Sequence, residues 1–465
     1  MTPSRFPVFL LAASCALAPS FAAASPADAA PAAKNILFFL GDGMGPTTIT
    51  AARIYRYKEE GFLNFERMER SARIKTYSND AQTTDSAPSM GAYMTGIKIN
   101  NDVISMADAK PFAPKKDANG NASIDACPLG NGRAAATILE LAKASGRSVG
   151  SITTTELTHA TPASTFSHVC DRNMAYSIAA QIVPGGAGYN PALKDGVDVL
   201  MGGGRNHFTP FDPVRNPKGR ADGRDMLAEF AARGYTVAAN ADQMQAAPAG
   251  KKFVGIYSDV SHLDYALTRR AAQPALAQMT AKAIDLLAAN PKGFFLMVEG
   301  GKIDHALHDS NVKNALAETI GFDDAIKTAL DKMEALDPGL RNTLVVVTAD
   351  HDHTIVMNGY AKRGNPILDI VRNVDDGQPA RDADGKTYTA LVFGNGPNRP
   401  NQRVDVDNTQ ALADDYHQET GVRLPGETHG GGDVKLFATG AGSGVFKGTM
   451  ENTKVFHLMK AAFGL

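Results

Sequence analysis

The sequence predicts an α/β fold, a three-layer α/β/α sandwich with a large, mainly parallel central sheet and surface insertions. Three observations carry this. Apolar runs of strand length alternate with helix-length stretches along most of the chain, the rhythm of βαβ units. The runs read as buried strands, which suits a parallel sheet covered on both faces. Three of them end in an acidic residue: Asn35 to Leu40 stops at Gly41-Asp42-Gly43, Phe294 to Val298 at Glu299, and Thr343 to Thr348 at Ala349-Asp350-His351. One such ending is an ordinary turn. Three of them place carboxylates where the ends of parallel strands open into one crevice, and carboxylates clustered with imidazoles are what divalent metal ions need.

The elements follow in chain order. Arg5, the apolar run from Phe6 to about Pro19 and the small residues through Ser25 form the pattern of a secretory signal, so residues 1–24 are read as a signal peptide and 25–465 as one mature domain, periplasmic or secreted. Cys15 falls inside the apolar run, and no other run reaches the ~18 residues of a membrane span. The strand at Asn35 leads into a helix from about Thr47, and a helix near Ala134 to Ala144 leads into a strand at Ser148 to Thr153. Then come a strand at Val197 to Met201, a helix near Ala275 to Ala289, the strand at Phe294, a long helix from about His308 to Met333, and the strand at Thr343. Val434 to Ala438 and a helix from about Glu451 complete the domain. Asn101 to Gly132 is polar and rich in Gly and Pro, and about 357–408 reads as an insertion over the site.

Composition excludes several classes. The net charge is −2 with no block of like charge, so there is no nucleic-acid footprint. No repeat of solenoid length is visible. With Cys15 in the signal, Cys127 and Cys170 remain; one disulfide is the simplest expectation, and two free thiols are the alternative.

Several residues could carry chemistry. In Thr84-Asp85-Ser86-Ala87, Ser86 sits at the expected start of a helix, where backbone N–H groups favour an anion and a serine can act as nucleophile. The same motif suits ordinary N-capping by Asp85 or Ser86. Asp304 and His308 have the i, i+4 spacing that puts a carboxylate and an imidazole on one helical face, a metal-ligand pair or a solvated ion pair. Asp350-His351 and Thr428-His429 are further candidate ligands, and Arg172 offers a fork suited to phosphate oxygens.

Taken together, Asp42-Gly43-Met44-Gly45, Thr84-Asp85-Ser86-Ala87, His159-Ala160-Thr161-Pro162, Glu299 to His305, Asp350-His351 and Glu427-Thr428-His429 resemble the alkaline phosphatase family, in family order. The resemblance implies a phosphomonoester hydrolase of broad range that works through a phosphoserine on Ser86, with Arg172 as phosphate clamp. It implies one zinc on Asp304, His308 and His429, and a second on Asp42, Asp350 and His351 with Ser86. A magnesium on Asp42, Thr161 and Glu299 would complete the set. His159 and His305 would flank the substrate, a pairing similar to the animal-type enzymes. The partners implied are small phosphomonoesters and a second copy in a homodimer. Pro88 and Met90 depart from the small residues usual after the nucleophile, and Cys170 lies unusually close to Arg172. The alternatives are a phosphodiesterase or sulfatase-type relative, against which Glu299 and Thr161 argue, and a non-catalytic metal- or anion-binding protein, which would not need Ser86.

Overall fold

The computed structural model describes Met1 and residues 33–115 and 126–465; beyond Met1, the predicted signal peptide lies outside the described residues. The main sheet has ten strands: β1 (Asn35–Gly41), β2 (Arg70–Lys75), β3 (Ser148–Glu156), β4 (Val199–Gly203), β5 (Thr236–Ala238), β6 (Phe253–Ile256), β7 (Phe294–Gly300), β8 (Thr343–Ala349), β9 (Val434–Gly440) and β10 (Gly448–Glu451). Their order is β10-β2-β9-β8-β1-β7-β3-β4-β6-β5. Only β9 runs against its neighbours, pairing antiparallel with β8 and β2; every other adjacent pair is parallel.

The central strands are apolar at consecutive positions because both faces are covered: Phe38, Phe39, Val345 and Val346 are all fully buried. Each such side chain contributes roughly 1.5–3 kcal/mol on leaving water. One helical layer packs α1 (Pro46–Tyr57) and a helix at Leu276–Leu287 against a long helix at Val312–Leu336. The other layer holds α2 (Ser86–Thr95), α3 (Ile138–Ala144), α4 (Ala160–Phe166) and the C-terminal helix Asn452–Ala462. The predicted α/β sandwich with a mainly parallel sheet is therefore observed.

Some boundaries differ from the sequence reading. The helix expected from Ala134 begins at Ile138, because Thr137 and Glu140 form a capping box: Thr137 Oγ1 accepts from Glu140 N–H at 3.1 Å, and Glu140 Oε2 accepts from Thr137 N–H at 2.9 Å. The long helix expected from His308 is two helices, Lys302–His308 and Val312–Leu336. They break at Ser310 (φ 54°), after which Asn311 caps the second through its bond from Asn314 N–H. The break leaves Asp304 and His308 on a short helix of their own, next to the sheet edge. Strand β2 escaped notice because it reads Arg-Ser-Ala-Arg-Ile-Lys, with only Ala72 and Ile74 buried.

Part of the 357–408 segment belongs to a small sheet of Ile355–Met357, Leu391–Gly396 and Thr420–Arg423. The segment reaches the end of α1, where Gly364 N–H donates to Glu59 at 2.7 Å and Arg363 pairs with Glu60. Cys127 and Cys170 form a disulfide, their Cα atoms 5.8 Å apart, two residues before Arg172.

A buried polar knot locks the second layer: Glu140 accepts from Asn190 Nδ2 at 2.6 Å and pairs with His168 Nε2 at 2.8 Å. Burial opposes the charge, but the bond and the attraction of Glu140 raise the His168 pKa, so while Glu140 stays ionised this stabilisation is full below the usual histidine range and fades as pH rises through the raised value. Glu140→Ala, which strands His168 and Asn190 in the interior, is expected to cost about 3–5 kcal/mol in urea unfolding.

Candidate metal centre

Sheet order assembles the site. Strands β8, β1, β7 and β3 are adjacent and parallel, so Asp350-His351, Asp42, Glu299 and Thr153 meet at one edge. The reversal of β9 brings its N-terminal approach, with His429, to that same edge. β2 ends there too and leads to Ser86.

Helix α2 places Ser86. Asp85 is its N-cap, with Oδ2 accepting from Ala87 N–H at 3.2 Å, and Ser86 is the first helical residue, 2% exposed. Pro88 falls within the first turn, whose N–H groups have no helical partner, so the helix runs unbroken to Thr95. Ser89 Oγ donates to the Asp350 carbonyl at 2.7 Å, and Tyr93 to that of Ala349 at 2.9 Å, docking α2 on the tip of β8. Ser86 Oγ thereby stands 3.3 Å from Asp42 Oδ1 and 3.1 Å from His351 Nε2.

The carboxylates are buried with one oxygen secured and one left over. Asp350 Oδ1 accepts from Gly43 N–H at 2.9 Å and His351 N–H at 3.0 Å, while Oδ2 has no partner. Glu299 Oε2 accepts from Thr153 and Thr155, while Oε1 has none. Among the described residues Asp42 Oδ2 and Thr161 Oγ1 are likewise without hydrogen-bond partners, and all four residues are fully buried. Gly43 makes this approach possible: its φ is 64°, and a Cβ there would strike the His353 ring.

The imidazoles are oriented to offer a lone pair. His351 Nδ1 bonds the Asp352 carbonyl at 3.2 Å, His308 Nδ1 that of Glu427 at 2.7 Å, and His429 Nδ1 that of Thr84 at 2.8 Å. A carbonyl only accepts, so each Nδ1 carries a hydrogen and each Nε2 faces inward. His308 Nε2 lies 3.0 Å from His429 Nε2, and these two lie 3.3 and 3.4 Å from Asp304 Oδ1. Donor atoms roughly 3.3 Å apart are what a tetrahedral ion with bonds of about 2.0–2.1 Å requires. His351 Nε2 is similarly 3.2 Å from Asp42 Oδ1 and 3.5 Å from Asp350 Oδ2.

Electrostatics point the same way. Burial, then repulsion by Asp350, Asp304 and Glu299, pushes the Asp42 carboxyl well up, and burial pushes Glu299 up to about 7. Burial disfavours charge on Asp304 also, yet His308, His353 and His429 hold it well below the usual carboxylate range. Against the cost of burial, Asp304 and Glu427 push His308 up to about 11. Orphaned buried oxygens beside inward-facing imidazoles form a donor set that fits divalent cations.

Arg172 and two histidines complete the rim. Arg172 pairs through Nη1 with Asp85 Oδ1 and donates from Nη2 to His159 Nε2 at 3.2 Å. Burial and the Arg172 charge hold the His159 pKa well below its usual range, and burial brings His305 to about 4. Ser86, Arg172, His159, His305, His308 and His429 all line a pocket of about 610 Å³. The 357–408 segment contributes none of this pocket's lining residues.

The sequence reading quoted Glu427 only within its motif and gave neither it nor His353 a role. His353 Nε2 bonds Asp304 Oδ1 at 2.9 Å and Nδ1 bonds Glu427 Oε2 at 2.7 Å. With both nitrogens engaged it orients Asp304. The signal was in view: His351 and His353 are two apart at a strand tip, the spacing that keeps side chains on one face of an extended chain. Lys302 and Tyr265, which also line the pocket, left no comparable pattern.

A sequence profile of the alkaline phosphatase family matches residues 33–465. The chain belongs to the alkaline phosphatase family. It is 34% identical to an alkaline phosphatase of Gadus morhua, over 92% of this chain and 91% of that one. It is 33% identical to the tissue-nonspecific isozyme of Rattus norvegicus, over 92% and 83%. Among solved structures, the alkaline phosphatase of Thermus thermophilus aligns with a TM-score of 0.67 at 25% identity, covering 97% of this chain and 96% of that one. The enzyme is thus an alkaline phosphatase, a phosphomonoesterase with metal-binding His and Asp clusters.

Ions that bind only the folded state stabilise it, so chelation is expected to lower the melting temperature and zinc with magnesium to restore it. The pH trend should also reverse. Without ions, folded Glu299 takes up a proton near pH 7 that the unfolded chain binds only near 4.5, so stability falls as pH rises between those values. With ions, protons compete for the ligands, and the melting temperature rises over the same interval. Differential scanning calorimetry of both forms checks the two slopes.

Proposed function

We propose that the enzyme hydrolyses phosphomonoesters through a phosphoserine formed on Ser86, at a centre of two zinc ions and one magnesium ion. Asp304, His308 and His429 would hold the first zinc, and Asp42, Asp350 and His351 with Ser86 the second. Asp42, Thr161 and Glu299 would hold the magnesium. When bound, such ions activate a hydroxyl and stabilise negative charge on attacking and leaving oxygens.

The chain's own groups do the rest. Ser86 Oγ attacks phosphorus from the first turn of α2 as the ester P–O bond breaks and the alcohol leaves with a proton from solvent; unpaired N–H groups and the helix dipole favour the phosphorylated side chain. Arg172, held by Asp85 and His159, presents its guanidinium to the non-transferring oxygens and fixes the phosphoryl group for in-line displacement. His159 accepts from Arg172 through Nε2, so its Nδ1 keeps the proton, and one of its ring nitrogens lies within 4.8 Å of carboxylate oxygens of Asp42 and Glu299. Water then cleaves the phosphoserine, releasing phosphate and restoring Ser86.

The observation that carries this reading is Ser86 itself, a buried hydroxyl within 3.3 Å of Asp42 and His351 at a capped helix start. The unpartnered Glu299 Oε1 and Thr161 Oγ1 support a third ion and favour the monoesterase over a diesterase or sulfatase relative. We further propose that residues 1–24 direct export to the periplasm or medium, and that the mature chain forms a homodimer. Acid quenching of turnover followed by peptide mass spectrometry is expected to find phosphate on Ser86. Ser86→Ala should keep its metal content and lose most turnover; a fully active variant excludes the covalent route.

A further inference from the structure

A second cavity, of about 480 Å³, adjoins the Ser86 pocket, and His159 and Arg172 line both. The further walls of this cavity include Glu156, Thr158, Asn206, His207 and Lys218, which the reaction above does not use. Several of these polar groups are unspent. Asn206 is 3% exposed, and its Oδ1 has no hydrogen-bond partner among the described residues. The Glu156 carboxylate makes no hydrogen bond among the described residues; the nearby His207 Nδ1, at 3.7 Å, belongs to an imidazole whose pKa burial lowers to about 4, and it is already bonded to Thr158 Oγ1 at 2.7 Å. The Lys218 ammonium forms no ion pair within 4 Å among the described residues. Burial pushes Glu156 up to about 7 in spite of the attraction of Lys218, the state of a carboxyl short of donors.

Two of the walls are braced from behind. Arg220, 1% exposed, is forked onto Asp222 at 3.0 and 2.6 Å and donates to the carbonyls of Tyr176 and His207 at 2.9 and 3.0 Å. Arg220 thus ties together Tyr176 and His207, two residues of the cavity wall.

We propose that this cavity is a leaving-group subsite for phosphomonoesters of polyols and sugars, occupied by an alcohol that turns past Arg172. The proposal rests on the phosphomonoesterase reading and names the substrate class for it. A hydroxyl group both donates and accepts. It suits a wall that offers acceptors at Glu156 and Asn206 Oδ1 and a donor at Lys218. A second phosphate would face the Glu156 carboxylate, and an aryl group would leave the buried Asn206 Oδ1 without a partner.

The test compares kcat/KM for glucose 6-phosphate and p-nitrophenyl phosphate, using the metal-loaded wild type, Glu156→Gln and Asn206→Leu. Each variant is expected to lower the sugar-to-aryl ratio about tenfold, or about 1.4 kcal/mol, through KM: Asn206→Leu by losing one hydrogen bond, and Glu156→Gln by losing the charge that strengthens the bond its side chain accepts. Glu156→Gln is nearly isosteric, so it keeps the test valid if Asn206→Leu fails to fold. A ratio that stays constant in a folded, active Glu156→Gln overturns the subsite and leaves the phosphatase reading intact. A wild type that hydrolyses neither ester overturns both.

Discussion

The constraint on which the rest of the structure depends is the burial of acidic groups against one another. Asp42 and Asp350 offer oxygens within 4.8 Å of each other in a region that excludes solvent, and Asp42 stands equally close to Glu299. Two like charges at that separation repel by roughly 3–4 kcal/mol even at an effective dielectric of about 20. Desolvation adds to this, and a fold that tolerates both must supply positive charge. The inward-facing Nε2 atoms supply lone pairs instead. His351, held neutral by burial, leaves Asp42 and Asp350 to be balanced by cations, whereas around Asp304 the ion-free cluster draws its positive charge from His308, whose pKa Asp304 raises, and a bound cation would take that place.

The sheet turns this electrostatic demand into geometry. Four adjacent parallel strands, β8, β1, β7 and β3, deliver acidic or hydroxyl side chains to one edge, each from an apolar run that could not be displaced without exposing core. The single reversed strand adds His429 from the other end of the chain. Around these ligands a further layer of contacts fixes orientation: backbone carbonyls hold His308, His351 and His429 by Nδ1, and the Glu427–His353 pair holds Asp304. Arg172 belongs to the same system, bonded to Asp85, which caps the helix that carries Ser86. Nucleophile and clamp are therefore positioned through one carboxylate.

Much of this was legible from sequence, for physical reasons. Strands buried on both faces leave long apolar runs, so β1, β7 and β8 and their acidic tips stood out. Motif spacing then brought Asp304, His308, Asp350, His351 and His429 into view. What escaped detection depends on contacts that leave no periodic trace. Strand β2 is polar because much of it is exposed, and the break at Ser310 is a single left-handed residue inside a helical pattern. Glu427 acts through His353, 74 residues away, a pairing that only the folded chain reveals. The cavity beside Arg172 is likewise assembled from Glu156, Asn206 and Lys218, none of which forms a motif with the others.

The most direct test is hydrolysis of p-nitrophenyl phosphate by the purified mature chain at alkaline pH, before and after chelation and after adding back zinc and magnesium, beside bis(p-nitrophenyl) phosphate. If the buried cluster exists to hold cations for phosphomonoester cleavage, monoesterase activity disappears on chelation, returns with the ions, and far exceeds the diesterase rate. Monoesterase turnover that survives complete metal removal, or a diesterase rate that dominates, would contradict it.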